Sequence, residues 1–427
     1  MQLREAAREI WEAGVEAAKP AEVMRRALRV ENGTLYVEGK PLPGKRLFVF
    51  GAGKASLSMA QEAERILGDR IEGGLIVSNV PGSLQRIAVA TGRHPVPDET
   101  SIQAAKALIK AMQEAGSEDA CLFLLSGGAS ALMELPAEGI GFKQMQQAFR
   151  ALIASGAPIE AVNCVRKHLS QVKGGQLARF IKARTAVLVI SDVIGDDLEA
   201  IGSAPLYRDA TTYADALAIV DRYRVQLPAA VSAHLICGAS GEVSETPKQP
   251  ASHVSHHLIG TNVRALDAMA RRARELGFAP AVLTDRLEGE AREAARVLIS
   301  VARGQRFCDR PAALLFGGET TVTLRGTGEG GRNQEMVLAA LSELGGDGSI
   351  CLLSAGSDGI DGNSPAAGAI ADEMSWRGAL EMDLDPNAFL ENNDSYRFFK
   401  AAGGLLAPGA TGTNVMDLGV ILIKEKK

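Results

Sequence analysis

The chain has no apolar run approaching the roughly 18 residues that a membrane-spanning helix needs, no surplus of positive charge and no paired cysteines. Against 51 Asp and Glu stand 46 Lys and Arg, a formal net charge of -5, which leaves nothing to neutralise a nucleic-acid backbone. No Lys/Arg block marks a membrane surface either. Five cysteines, Cys121, Cys164, Cys237, Cys308 and Cys351, lie far apart with no CxxC pair, as expected of a reducing cytoplasm. The opening stretch MQLREAAREIWEAGVEAAKP sets Leu3, Ile10, Trp11 and Val15 at helical spacing and lacks the apolar centre of a signal peptide. Enzyme signatures are missing too: Walker A, the HRD and DFG motifs of protein kinases, the GxSxG of serine hydrolases and the EF-hand ligand series. His253, His256 and His257 have no carboxylate or cysteine nearby to complete a tetrahedral zinc set. A soluble cytoplasmic protein is expected.

What the chain does have is glycine at the ends of strands. Five apolar runs of strand length stop abruptly in Gly, Ser or Asp: LFVFGAGKAS, CLFLLSGGASAL, AVLVISDVIGDD, ALLFGGETTV and CLLSAGSDGIDG. Runs apolar on both faces indicate parallel sheets covered by helices, and open α/β sheets bind ligands beyond the carboxyl ends of their strands. Glycine turns there let backbone N–H groups approach a bound group closely, and phosphate is the natural guest. The 427 residues exceed what one core supports, so two domains are expected. Helical and strand patterns alternate from Pro20 to Ile190, which specifies parallel βαβ units and a doubly wound sheet. The polar, proline-bearing stretch at about 239–252 reads as a linker, dividing the chain into 1–238 and 239–427, with a second, smaller α/β domain after it.

Gly51-Ala-Gly-Lys-Ala-Ser56 begins like a dinucleotide fingerprint. Its third glycine is Ser56, however, and the next strand ends in Ser78-Asn79 where a ribose-binding carboxylate is expected. Lys54, inside the turn and beside a helix start, is placed to meet a negatively charged oxygen; a solvated lysine on a tight turn is the alternative. Ser126, Gly127, Gly128 and Ser130 form a second strand, anion nest and helix unit, which close strand-helix packing would also explain. Arg166, Lys167 and Lys173 cannot all aim at one point, and His168 reads as a packing or capping residue. Asp192 follows a buried strand directly, where a carboxylate can hold Mg²⁺ or accept a proton, with Asp196 and Asp197 able to join it; an N-cap is the competing reading. Asn262 sits near a helix start after HHLIG. The glycine-dense loop from Arg325 ends in Arg332, whose planar fork matches phosphate or carboxylate, with Asn333 and Gln334 beside it. Asp358 and Asp361 follow the last of the five runs.

Taken together, VFGAGKAS, LLSGGASAL, NCVRKHLSQVKGGQLA, ISDVIGDD, FGGETTVTL, GGRNQEMVLA, SAGSDGIDGNSPAAGA and TGTNVMDL resemble the class II glycerate kinases, also called the MOFRL family. The resemblance runs essentially end to end. It implies phosphorylation of D-glycerate by ATP and Mg²⁺, giving 2-phosphoglycerate, in a cleft between a Rossmann-like amino-terminal domain and a smaller MOFRL-type carboxyl-terminal one. It also implies important roles for Lys54 and Arg332. In the assignment that follows, these two cations neutralise the glycerate carboxylate and the moving phosphoryl group. Gly51, Gly53, Ser126, Gly127, Gly128, Ser130 and Asn262 bind nucleotide or phosphate. Asp192 is base or metal ligand, and Asp358 a second metal ligand. Two loops depart from the family's usual pattern: Ser203-Ala-Pro205 where SGP is usual, and Pro408-Gly-Ala-Thr-Gly-Thr-Asn414 where GPTGTN is. The alternatives are an NAD(P)H-dependent hydroxypyruvate reductase and a non-catalytic phosphosugar-binding module. The oligomeric state is left open, a homodimer included.

Overall fold

The structure, a computed structural model, describes residues 2–304 and 311–424; Cys308 lies outside them. The chain forms two compact units, one of Met24–Ile190 with Asp196–Ile259, the other of Met1–Val23 with Ser191–Gly195 and Gly260–Lys427. The opening helix therefore belongs with the carboxyl-terminal half, and the polar stretch 239–252 lies inside the first of these units. Among the described residues no helix is long and apolar enough to cross a membrane.

The first unit begins with a small antiparallel sheet, β1 (Leu28–Glu31), β2 (Thr34–Val37) and β3 (Lys40–Leu42). Asn32 (φ 48°) and Gly33 (φ 82°) make its first turn, the left-handed pair that a tight hairpin requires. Its main sheet contains β4 (Leu47–Ala52), β5 (Ile71–Ser78), β6 (Ala88–Thr91), β7 (Ala120–Ser126), β8 (Arg184–Ile190) and β9 (Val254–Gly260). They lie in the order β6-β5-β4-β7-β8-β9, parallel from β6 through β8. Every residue of the central strands β4 and β7 is buried, Phe50 and Phe123 completely, each such ring contributing about 1.5–3 kcal/mol of hydrophobic stabilisation. The order runs outward in both directions from β4, the doubly wound arrangement of dinucleotide-binding sheets.

The second unit holds β10 (Ala279–Leu287), β11 (Ala312–Gly318), β12 (Ile350–Gly356), β13 (Gly368–Ala371), β14 (Leu405–Leu406) and β15 (Asp417–Ile423), in the order β10-β11-β15-β12-β13-β14. Only β10 and β11 pair in parallel, and β15 separates β11 from β12 with antiparallel ladders on both sides. Apolar runs predict parallel strands here as well; the expectation holds between β10 and β11 and fails where β11 meets β15 and for both neighbours of β12. The runs report burial of both faces, and helices supply it whatever the strand direction. Ala291–Gly304 and Arg332–Leu344 pack with Phe316, Leu352 and Ile421 on one face. On the other face the opening helix Leu3–Ala18 meets helix Asn262–Glu275, and Gly14 fits so closely that a Cβ there would stand 2.7 Å from Met269 and 3.2 Å from Leu418.

Candidate functional site

In the first unit, β4 and β7 are neighbours on either side of the point where the strand order reverses, which is where open α/β sheets bind their ligands. Both strands end in glycine turns, and the turns are tied to each other. The Lys54 N–H donates to the Gly127 carbonyl at 2.9 Å, and the Ala55 N–H to Ser126 Oγ at 3.0 Å. The Gly53 N–H donates to the Val77 carbonyl at 3.1 Å. These donors of the GAGK turn are taken within the unit, and Ser126 uses its hydroxyl to hold them. Gly51 and Gly53 answer to close packing: a Cβ would stand 2.5 Å from the Leu124 carbonyl oxygen in the first case and 2.6 Å from that of Ser126 in the second, where φ is 139°. Ser56, in place of a third glycine, is fully buried, with its hydroxyl 2.7 Å from the Gly53 oxygen and 2.8 Å from that of Val77.

The Lys54 side chain remains available. It is exposed, with no hydrogen bond or ion pair of its own among the described residues. Its stem crosses Gly128, where an added Cβ would stand 3.1 Å from Lys54 Cγ and 3.1 Å from His94 Cδ2. Gly128 (φ 84°) caps the short helix Ala129–Leu132, and the first N–H groups of a helix have no partner within it. Ser130 Oγ stands 2.8 Å from Ser203 Oγ. Ser203 and Ala204 are held at φ 61° and 53°, and the Gly174 and Gly175 N–H groups donate to their carbonyls. His94, which the sequence did not single out, has its pKa lowered by burial and then by the charge of Lys54.

Of the other candidate cations of the first unit, Lys167 and Lys173 are buried and Arg166 is half-buried. Arg166 stacks over Phe149 at 4.7 Å, and Lys167 pairs with Asp209 at 3.3 Å. Lys173 pairs with Glu134 at 2.6 Å, and burial lowers its pKa to about 8. His168 Nδ1 lies 2.8 Å from the Cys164 carbonyl oxygen, a packing role.

In the second unit Arg332 opens the helix Arg332–Leu344 and is gripped by carboxylates. Its Nε donates to Asp417 Oδ2 at 2.6 Å, Nη2 to Asp417 Oδ1 at 3.1 Å and Nη1 to Glu319 Oε1 at 2.6 Å. Burial opposes the charge, but the hydrogen bonds and charge of Asp417, with Glu319 and Asp361, hold its pKa above the usual guanidinium value. Asn333 Nδ2 also donates to Asp417 Oδ1, at 2.9 Å. Asp361 caps the helix, accepting the N–H groups of Asn333 at 3.1 Å and Gln334 at 2.9 Å together with both side-chain amides. Burial raises its pKa to about 6, with the charge of Asp417 adding to the rise against those amide donors.

Asp417, Glu319 and the capping role of Asp361 were not picked out from the sequence. The available signal for Asp417 was a carboxylate heading the buried run DLGVILI, the reverse of the arrangement at Asp192, which follows its buried run. Asn262 is buried at the start of its helix, where Nδ2 donates to the carbonyls of Val415 at 2.8 Å and Asp417 at 3.0 Å; the amide ties β15 to that helix. Asp192 is half-buried just beyond β8. Asp358 Oδ1 accepts the Ile360 N–H at 3.0 Å.

No cluster of three or more ligating side chains occurs among the described residues. Mg²⁺ needs none, because it takes one or two carboxylates and completes its shell with water and substrate phosphates. Near Gly356, the point where a Cβ would stand is 2.7 Å from the Ile360 carbonyl oxygen, 3.1 Å from Asp358 Oδ1 and 3.7 Å from Asp417 Oδ1, so oxygen atoms from three segments gather at this end of β12.

The chain matches two family models, the domain of unknown function DUF4147 over residues 6–236 and the MOFRL family over 312–417. The D-glycerate 2-kinase of Thermotoga maritima is 42% identical, over 88% of this chain and 91% of its own. A protein of Agrobacterium vitis with a provisional hydroxypyruvate reductase name is 41% identical, over 89% of this chain and 88% of its own. The crystal structure of the Thermotoga maritima glycerate kinase superposes with a TM-score of 0.89 at 39% identity, covering 99% of both chains. With a doubly wound sheet ending in GAGK and SGGAS turns, and an arginine opening a helix in a MOFRL domain, the chain belongs to the MOFRL family of class II glycerate kinases.

Proposed function

We propose that the protein phosphorylates D-glycerate on its 2-hydroxyl, with ATP as donor and Mg²⁺ as cofactor, releasing 2-phosphoglycerate and ADP. The observation that carries the reading is an exposed lysine laid over a glycine turn at the switch point of its sheet; in the second unit, separately, an arginine is held in place by carboxylates. Phosphoryl transfer asks for positioning and charge stabilisation more than covalent help, and these parts supply both. The Gly127-Gly128 turn and Ser130 take phosphate oxygens, while Gly51, Gly53 and Ser126 shape that turn. Lys54 and Arg332 share the charge of the glycerate carboxylate and the moving phosphoryl group. The glycerate oxygen attacks the γ-phosphorus as its bond to the β-phosphate oxygen breaks, and the hydroxyl proton passes to Asp192. Mg²⁺, held by Asp358 or Asp192, would neutralise charge on the phosphates.

The test is a coupled assay of ADP release with D-glycerate, run beside NADH oxidation with hydroxypyruvate, and phosphorus NMR of the product. Glycerate-dependent ADP with a 2-phosphoglycerate resonance is expected. Exclusive 3-phosphoglycerate would overturn the regiochemistry, hydride transfer without ADP would overturn the reaction class, and tight phosphosugar binding without turnover would make the protein a binding module.

A further inference from the structure

Arg332 does not present an empty fork. A guanidinium has five N–H groups. Asp417 accepts from Nε at 2.6 Å and Nη2 at 3.1 Å, and Glu319 accepts from Nη1 at 2.6 Å. What is left for a substrate anion is one N–H on each terminal nitrogen, the end-on edge of the group.

The two carboxylates are held very differently. Asp417 heads a buried strand between two glycine ends, pairing with Gly318 on one side and Gly356 on the other. Its side chain is 11% exposed, and Oδ1 takes a further bond from Asn333 Nδ2 at 2.9 Å. Glu319 stands just past the end of β11 with its side chain 44% exposed, and the bond to Arg332 is the only one its carboxylate makes among the described residues. An exposed single-contact pair is weak and exchanges readily, whereas a buried, bidentate pair does not. An incoming anion also meets the negative charge of Glu319 at the guanidinium edge it needs.

We propose that Asp417 is the positioning residue that fixes the plane of the Arg332 guanidinium, and that Glu319 is an exchangeable partner which the anionic substrate displaces from Nη1. This rests on the proposed glycerate kinase reading and deepens it. Glu319 keeps the arginine charge-satisfied between turnovers and lowers its affinity for weakly charged ligands. Asp417 keeps the donor edge aimed whether or not substrate is present.

The experiment compares wild type, Asp417→Asn, Asp417→Glu and Glu319→Gln in the coupled ADP assay, with Michaelis constants for D-glycerate and for ATP, and circular dichroism to confirm folding. Asp417→Asn keeps the shape of the side chain but removes its charge and turns one acceptor into a donor facing the guanidinium. A kcat loss on the order of 10²-fold is expected, with a much smaller change in either KM, the size that misplacement of a catalytic group produces. Asp417→Glu should recover part of it, which a merely structural role would not give. Glu319→Gln should lower the KM of whichever substrate Arg332 binds by up to about fivefold, since it removes a competitor worth at most about a fivefold preference. Wild-type kcat in a folded Asp417→Asn protein, or both KM values unchanged or raised in Glu319→Gln, would overturn the proposal. If Asp417→Asn does not fold, the exposed Glu319→Gln decides it alone. Absence of glycerate phosphorylation in the wild type would count against the functional reading instead.

Discussion

Replacing Ser126 by alanine separates two roles that one hydroxyl can have at the end of β7. As a phosphate ligand, Ser126 would affect substrate affinity and little else. In the structure its Oγ instead accepts the Ala55 N–H at 3.0 Å, the residue is 3% exposed, and the GAGK backbone hugs it closely, with a Cβ on Gly53 only 2.6 Å from the Ser126 carbonyl oxygen. Ser126→Ala leaves the buried Ala55 N–H without its acceptor, which costs about 1–3 kcal/mol. For a unit of this size each kcal/mol lowers the melting temperature by about 2–4 °C, so a fall of roughly 2–12 °C is expected. The turn that carries Lys54 also loses its tie to the second turn, so KM for the anionic substrates should rise in the same variant. Calorimetry and steady-state kinetics on one preparation give both readings. An unchanged melting temperature with raised KM would refute the tie and make Ser126 a ligand; no change in either would remove it from both roles.

Other outcomes follow from the same geometry. Asp361, with a folded pKa raised from 3.8 to about 6, favours the folded state fully below the lower value, and that contribution is lost as pH rises through the higher one, a difference on the order of 3 kcal/mol. Asp361→Asn should flatten this part of the pH profile of urea unfolding, and a profile as steep as that of wild type would assign the titration elsewhere. Ala204→Gly removes a left-handed alanine, worth about 1–2 kcal/mol, against about 0.4–1 kcal/mol of added unfolded-state freedom and about 0.8 kcal/mol for a buried methyl. The net change in thermal stability should stay within about 1 kcal/mol, and a larger shift would show that the backbone there relaxes. Arg332→Lys keeps the charge but loses the fork, so kcat should fall about 10² to 10³-fold, with Arg332→Ala worse and Lys54→Ala acting more strongly on KM. Near wild-type turnover in a folded Arg332→Ala protein would remove Arg332 from the mechanism.

The first sheet was legible because its signals are local. A buried run, a glycine turn and a periodic helix recur in order along the chain, and the sheet order 3-2-1-4-5-6 follows from right-handed parallel crossovers. Direction in the second sheet was not legible, since burial on both faces gives the same apolar run in a parallel or an antiparallel ladder, and β15 reaches its place between β11 and β12 from the far end of the sequence. The same distance hid the partners of Arg332. Position 332 marked itself by its residue type, whereas Asp417 lies 85 residues away and acquires a role only when β15 pairs with both neighbours. In the cationic run Arg166, Lys167 and Lys173, spacing excluded a common target but could not supply the partners. The structure gives those charges partners inside the unit, because Asp209 and Glu134 come from distant segments that periodicity cannot place. The two units were hard to delimit for a related reason: the opening helix earns its place by packing on Asn262–Glu275, more than two hundred residues further along.

In the proposed reaction the two cations would act from opposite starting points, one free and one held, and on that reading their variants should fail differently. Lys54 is exposed and unpaired among the described residues, so it retains its rotamer freedom until an anion arrives and then loses up to about 2 kcal/mol of it. Such a group favours binding in general, because a mobile ammonium follows its anion through the reaction and stabilises ground and transition states alike; uniform stabilisation of that kind appears in KM. Arg332 lost its freedom on folding, its fork fixed by Asp417 and the helix start fixed by Asp361. A fixed dipole favours whichever state brings negative charge to its remaining edge, and no reorganisation is needed when that charge develops. Carboxylates beside an arginine therefore need not weaken it as a catalyst. They reduce its attraction for any anion, ground state included, while keeping its direction, and direction is what distinguishes the transition state from the substrate.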